Sequence, residues 1–192
     1  MKALAGKLLL AVWAGLALLA IASLAVSHTA AMPEPTRGER LSAAALALRQ
    51  DPARPFLLHV ISARCSCTER LFTHLLERGP FPGTAEVVLF VGEDAAKRAA
   101  AERAGFRYLA LSAEDLAGRF ALEAAPVLLA FDAAGRMRYA GGYFSHPSAI
   151  FPQDAGIHAE LVQGATPRPL PVYGCAVSPD LQKKVDPLGI VY

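Results

Sequence analysis

The chain has 192 residues, of which 54% are hydrophobic and 19% are charged, and its formal net charge is +2. This length suits one ordinary domain with a sizeable core, plus a short extra segment. The net charge is too small, and the Lys and Arg residues too scattered, for a nucleic-acid-binding surface, so nucleic acid is excluded as a partner.

The amino end carries an uncharged apolar stretch from Leu8 to Val26, which Lys2 and Lys7 precede. Its length favours a transmembrane signal-anchor within residues 1–31, because a helix that crosses a bilayer needs roughly 17 to 25 apolar residues. The alternative is a cleaved signal peptide, since small residues at the end of the segment suit a cleavage site. In both cases the positive residues stay inside and the rest of the chain is exported.

Residues 32–40 contain two prolines and show no periodicity, which is typical of a linker. Beyond them, short apolar runs alternate with segments of helical spacing. The predicted elements are helices over 41–50, 67–79, 93–105 and 113–122, strands over 56–61, 85–92 and 106–112, and a β-hairpin over 125–143 with its turn at 132–135. This alternation, ending in a hairpin, predicts an α/β fold with a mixed sheet flanked by helices.

Past the hairpin, residues 146–192 form a proline-rich carboxy-terminal extension with one predicted short helix at 156–163. A segment this long with so little regular structure is unusual in a compact domain. Its aromatic residues, including Phe151 and Tyr173, favour an extension that packs back over the domain rather than a mobile one.

Several features together resemble the thioredoxin fold: a strand running into a cysteine at a helix start, a βα crossover, and Ala125-Pro126 opening a hairpin with an Asp-x-x-Gly turn. The resemblance covers Leu41 to Tyr143 and defines a thioredoxin-like domain over 41–145. It is strongest to membrane-tethered periplasmic thiol-disulfide oxidoreductases. The resemblance therefore implies the bacterial inner membrane, a domain facing the periplasm (N-in, C-out), protein thiols or disulfides as partners, and no organic cofactor.

The cysteine motif departs from that family. The family has Cys-x-x-Cys, whereas this chain has Cys65-Ser66-Cys67, and Thr68 stands where the second cysteine would be. Residues two apart on a helix point to different sides, so a Cys65–Cys67 disulfide requires Cys65 to precede the helix and would still be strained. The other expected pairing joins one of these cysteines to Cys175.

Cys65 is the expected nucleophile. A helix start and the neighbouring positive charge of Arg64 both lower the pKa of a thiol and so favour the reactive thiolate. In an exported protein these cysteines are expected to work as a redox pair, with Cys67 or Cys175 as the resolving residue. The alternatives are inert core cysteines in a non-catalytic interaction module, and a metal site.

The metal alternative is a copper(I) chaperone, because soft thiolates suit copper(I) and His59, His74 or Cys175 could complete a site. Against it, His59 lies within an apolar strand, and His74 is about two helical turns beyond Cys67. No zinc spacing is present, so the sequence predicts no resident metal. The Asp and Glu residues are expected on solvated faces and at helix starts.

The resemblance also assigns substrate positioning to Ala125 and Pro126, beside Arg64. It implies that the Ala125-Pro126 bond is cis and that the proline lies against the active cysteine. Without the resemblance a trans proline at the first residue of a strand would be expected.

Overall fold

The computed structural model describes residues 2–63, 65–186 and 189; the side chains of 2–5, 22–29, 66 and 67 lie outside the description. The chain forms two compact units, Met1–Ala30 and Ala31–Tyr192.

The first unit is one helix, α1 (Lys2–Thr29). Its large apolar side chains are exposed where they are described, for example Leu9 and Trp13. None of the helices in the described part of the chain has the length and apolar character needed to cross a membrane. The predicted transmembrane anchor is therefore not supported by the structure.

The second unit alternates helices and strands up to a final hairpin. Its elements are α2 (Glu39–Leu46), β1 (Phe56–Ser62), α3 (Ser66–Arg78), β2 (Ala85–Val91), α4 (Ala95–Arg103), β3 (Arg107–Leu111), α5 (Ala113–Asp115), a π-helical turn (Leu116–Phe120), β4 (Ala124–Ala125), β5 (Val127–Phe131) and β6 (Met137–Gly141). The extension adds α6 (Asp154–Val162), β7 (Cys175–Ala176) and α7 (Pro179–Val185).

Five strands form the central sheet in the order β3-β2-β1-β5-β6. The β1–β2 and β2–β3 pairs are parallel, and the β1–β5 and β5–β6 pairs are antiparallel. Every residue of β1 is buried, because a central strand covered on both faces needs an apolar run rather than an alternating pattern. The predicted α/β fold with a mixed, helix-flanked sheet is confirmed.

Alternate residues of β1 point into two apolar cores, one on each face of the sheet. Leu58 and Val60 join the core that contains Leu116 and Phe120. Leu57 and Ile61 join the core beneath α3, which contains Leu71 and Leu75. The chain therefore has the layered build of a sheet between helices.

The predicted helix over 113–122 forms only in part. A short α-helix passes into the π-helical turn, which ends at Ala121 in the left-handed region at φ 54°. Leu116 and Phe120 are both buried, so core packing overrides the regular α-helical spacing here.

The residues predicted as a linker also pack onto the domain. Met32 is buried, and its N–H donates to the Val172 carbonyl at 2.8 Å. Helix α2 begins at Glu39, inside the predicted linker. The linker prediction overlooked these contacts because Val172 is far away in the sequence.

The carboxy-terminal extension packs onto both cores. Ile157 and Leu161 of α6 join the core beneath α3, and Val172 and Leu181 join the other. The short helix expected at 156–163 is present as α6, whereas α7 was not predicted. In α7, Ser178 caps the helix by accepting from the Leu181 N–H at 3.1 Å.

Candidate active site

Cys65 lies where β1 ends and α3 begins. Its backbone is extended (φ −109°, ψ 121°), and its carbonyl accepts from the Thr68 N–H at 3.0 Å, so Cys65 is the residue that precedes the helix. This is the position that the helical geometry required of Cys65 for a Cys65–Cys67 disulfide. The side chain is buried, with 4% exposed.

The buried thiol faces the loop that opens β5. The Ala125-Pro126 peptide bond is cis, as the resemblance implied. The Cys65 Sγ donates to the Ala125 carbonyl oxygen at 3.7 Å. A cysteine and a proline loop that are about 60 positions apart in the sequence thus meet at one point.

Cys175 reaches the same loop from the carboxy-terminal extension. Strand β7 pairs antiparallel with β4, which puts Cys175 opposite Ala125 and Ala176 opposite Ala124. Directly opposed residues in such a pair have Cβ atoms about 4.5 to 5.5 Å apart. Cys65 and Cys175 therefore both lie against Ala125.

The other predicted site residues are only partly described. Cys67 lies in the first turn of α3, and its side chain is outside the described residues. The predicted role of Arg64 also falls outside the described residues. The structure therefore brings together Cys65, Ala125, Pro126 and Cys175 of the predicted set.

Thr68 supports the junction between β1 and α3. It is buried, and its Oγ1 accepts from the Ser62 N–H at 3.3 Å. This hydrogen bond fixes the end of β1 against the first turn of α3, where Cys65 must be held. The only sequence signal for this role is weak: Thr68 stands where the family has its second cysteine.

Comparisons with known proteins agree at the level of the fold. A hypothetical protein of Sinorhizobium meliloti aligns with a TM-score of 0.55 and 19% identity, over 66% of this chain and 80% of that chain. An uncharacterized conserved protein of Geobacillus kaustophilus aligns with a TM-score of 0.50 and 19% identity, over 66% and 77%. The sheet order and the cis Ala125-Pro126 bond give this chain the thioredoxin-like fold that the sequence resemblance implied.

One more distant structure also aligns. A secreted disulfide oxidoreductase of Mycobacterium tuberculosis reaches a TM-score of 0.39 at 14% identity, over 58% of this chain and 82% of that chain. No protein-family profile matches the chain. No curated protein matches it in sequence.

A crevice of about 280 Å³ opens between the sheet and the carboxy-terminal extension. It lies at the carboxyl ends of β1 and β2, where open α/β sheets usually bind ligands. Residues of the extension form its other side. Its lining includes Ser62, Ala63, Val91, Gly92, Ala176 and Val177.

The thioredoxin-like domain and the extension share a buried polar network that the sequence did not reveal. His59 hydrogen-bonds Tyr143 through Nδ1 and Glu86 through Nε2, both at 2.8 Å. Arg78 donates to Glu86 at 2.8 Å and to Asp154 at 2.7 Å. The expectation that Glu and Asp residues lie on solvated faces is wrong for Glu86 and Asp154, since ionic partners from distant segments allow their burial.

Charges in this network set the ionisation of its members. Burial alone would raise the pKa of Glu86, but hydrogen bonds and charge from His59 and Arg78 outweigh it and lower that pKa to about 2. Burial raises the pKa of the Tyr143 hydroxyl well above its usual value. Tyr143 therefore stays a neutral hydrogen-bonding partner of His59 at ordinary pH.

The two histidines considered as copper ligands have other partners. His59 is bonded within the network, and His74 bonds Asp154 at 2.9 Å. Among the described side chains, no group of three or more His, Cys, Asp or Glu could hold a metal ion.

Proposed function

We propose that this domain is a thiol-disulfide oxidoreductase in which Cys65 is the nucleophile. The observation that carries the proposal is the position of the Cys65 Sγ, which sits at the start of α3 and touches the Ala125 carbonyl beside Pro126. Protein thiols and disulfides are the substrates that this arrangement suits, because β4 beside Cys65 pairs with an extended strand, β7, and a substrate strand could pair with β4 in the same way.

The reaction is thiol-disulfide exchange. The Cys65 thiolate attacks one sulfur of a substrate disulfide, the substrate S–S bond breaks, and a mixed disulfide with Cys65 forms. A second cysteine, Cys67 or Cys175, then attacks the Cys65 sulfur and releases the substrate as a dithiol. The substrate gains two electrons and two protons, and the protein's cysteine pair loses them.

The position of Cys65 has two opposing effects on the stability of its thiolate. Backbone N–H groups at the start of α3 favour a negative charge on its sulfur. Burial disfavours that charge, so the thiolate depends on those N–H groups and on the positive charge expected from Arg64.

Replacement of the nucleophile tests the proposal. Cys65→Ser should reduce insulin disulfides in the presence of dithiothreitol no faster than the uncatalysed background. Thr73→Ala, an exposed change on the same helix, should leave the rate intact. Full activity of Cys65→Ser would show that the nucleophile is misassigned. Tight binding of one copper(I) by the reduced protein, without any turnover, would instead favour the copper chaperone.

The same proposal includes export of the domain. Lys2, Lys7 and the apolar run from Leu8 to Val26 support it, since they form an export signal whether or not the segment is later cleaved. Membrane anchoring rests on the sequence alone. Alkaline phosphatase fused after residue 40 should be active in a bacterial host, whereas an inactive fusion would contradict export.

A further inference from the structure

Strand β4 offers a backbone edge at the reactive sulfur, and the chain's own extension occupies it. Within the described residues, β4 and β7 form a two-stranded sheet of their own. Because the Cys65 Sγ touches the carbonyl of Ala125 in β4, any strand pairing there passes beside the thiol. The strand now in that place carries a cysteine, Cys175, opposite Ala125.

The extension is fixed on the carboxy-terminal side of Cys175. The Val177 N–H donates to the Glu123 carbonyl at 2.7 Å, and the Ser178 hydroxyl donates to the Glu123 carboxylate at 3.0 Å. Ala176, Val177 and Leu181 are buried. These contacts keep β7 in one register with β4.

On the amino-terminal side, the fit depends on glycine. A Cβ on Gly174 would lie 2.0 Å from the Ala125 carbonyl oxygen and 2.5 Å from the Pro126 Cδ. Real Cβ contacts do not come so close, so another residue at this position would push the strand away from the loop. Gly174 thus allows the residue before Cys175 to lie directly against Ala125 and Pro126.

We infer that β7 is a built-in peptide ligand of the active site and that Cys175, rather than Cys67, forms the catalytic disulfide with Cys65. The inference rests on the proposed function and specifies its second cysteine. It follows that a substrate strand must displace β7 from β4 before it reacts, and that β7 returns to resolve the mixed disulfide.

The resolving step exchanges the mixed disulfide for a disulfide within the protein. The Cys175 thiol gives its proton to solvent, and the resulting thiolate attacks the Cys65 sulfur of the mixed disulfide. The bond between Cys65 and the substrate breaks as the Cys65–Cys175 bond forms. The substrate leaves as a thiolate that takes up a proton.

Disulfide mapping of the full chain tests the inference. Reduced Cys67→Ser and Cys175→Ser variants are treated with oxidised glutathione, quenched by alkylation, and digested for mass spectrometry. Cys67→Ser should yield a Cys65–Cys175 disulfide. Cys175→Ser should accumulate a mixed disulfide of glutathione with Cys65. The inference would be overturned if Cys175→Ser formed an internal Cys65–Cys67 disulfide. The rate would have to match that of disulfide formation in the unsubstituted chain.

Two glycine substitutions, one in the segment next to β7 and one control, test the role of β7. Gly174→Ala should slow closure of the Cys65–Cys175 disulfide at least tenfold and prolong the glutathione mixed disulfide. Gly156→Ala is the matched control, because nothing lies within 4 Å of the added Cβ. Equal closure rates in the two variants would contradict the inference. Circular dichroism of each variant shows whether the fold is intact.

The outcomes separate this inference from the proposed function. If Cys65 forms the glutathione mixed disulfide but Cys175 never replaces glutathione, the proposed nucleophile stands and the inference fails. If Cys65 does not react with glutathione disulfide in any variant that keeps it, the proposed function fails as well.

Discussion

Glu86 holds a negative charge in the interior of the domain, between His59 and Arg78. Its pKa of about 2 in the folded state lies below the ordinary value of 4.5. A lowered pKa gives stability that is fully present above the unfolded-state value and is lost as the pH falls towards the folded-state value. The free energy of unfolding should therefore decrease between about pH 5 and pH 2.

Glu86→Gln tests this dependence. At pH 7 the variant should lose about 1.5 to 3 kcal/mol of unfolding free energy, because Arg78 and His59 lose their hydrogen bonds to the Glu86 carboxylate while Asp154 still pairs with Arg78. Its acid dependence should also be shallower, although Asp132, whose pKa is likewise about 2, still titrates in that range. Urea titrations over a pH series measure both effects. Glu102→Gln, an exposed control on α4, should match the unsubstituted protein.

Ala121 is a second residue whose backbone conformation has a measurable energetic cost. It adopts a left-handed conformation, which a Cβ disfavours by about 1 to 2 kcal/mol. Ala121→Gly should therefore raise the free energy of unfolding by up to about 1 kcal/mol, since glycine also loses more chain entropy. In regular helix α4, Ala99→Gly should lower it by about 1 kcal/mol. Equal shifts in thermal melts of the two variants would contradict this explanation.

The burial and the partners of individual residues were the hardest features to predict from the sequence. The sequence placed Cys65 before α3 because an apolar strand runs directly into a helical pattern there. It gave no signal for the burial of Glu86 or Asp154, since their partners come from other elements. Thr68 likewise has a role that depends on its hydrogen bond to the Ser62 N–H at the end of β1, which no periodic pattern predicts.

At the level of elements, glycines set the path of the extension. A Cβ on Gly142 would lie 2.0 Å from the Pro171 carbonyl oxygen, and the Gly142 N–H donates to the Leu170 carbonyl at 2.9 Å. Gly142→Ala should therefore loosen the segment 165–175, so that limited proteolysis cleaves it faster. Gly118→Ala has open space around its Cβ and should leave the cleavage rate unchanged.

Most long elements could be predicted because their patterns are strong. The strand β5 is wholly apolar, β1 and β2 are apolar except for His59, Ser62 and Glu86, and α3 has a clear apolar face. The pairing of β4 with β7 could not be predicted, since each strand has two residues and two residues show no periodicity. The π-helical turn was missed for a related reason, because the packing of Leu116 and Phe120 decides it.

At the level of the whole molecule, the extension belongs to the compact unit that spans Ala31–Tyr192. It supplies buried side chains to both cores, including Ile157 and Val172. A chain of residues 31–192 should therefore unfold cooperatively in urea. A chain of residues 31–145 should lose its near-ultraviolet circular dichroism and cooperative transition, because it exposes the apolar surface that the extension covers. Cooperative unfolding of the shorter chain would contradict this.

The long separation of Cys65 and Cys175 in the sequence, about 110 positions, has a thermodynamic consequence if they form a bond. Such a bond closes most of the compact unit into one covalent loop. Loops of about 100 residues lower the entropy of the unfolded chain enough to stabilise the folded state by about 4.7 kcal/mol in the chain-entropy treatment. The oxidised domain would then have a much higher melting temperature than the reduced one. The melting temperature would therefore report the fraction of molecules that have transferred electrons to a substrate.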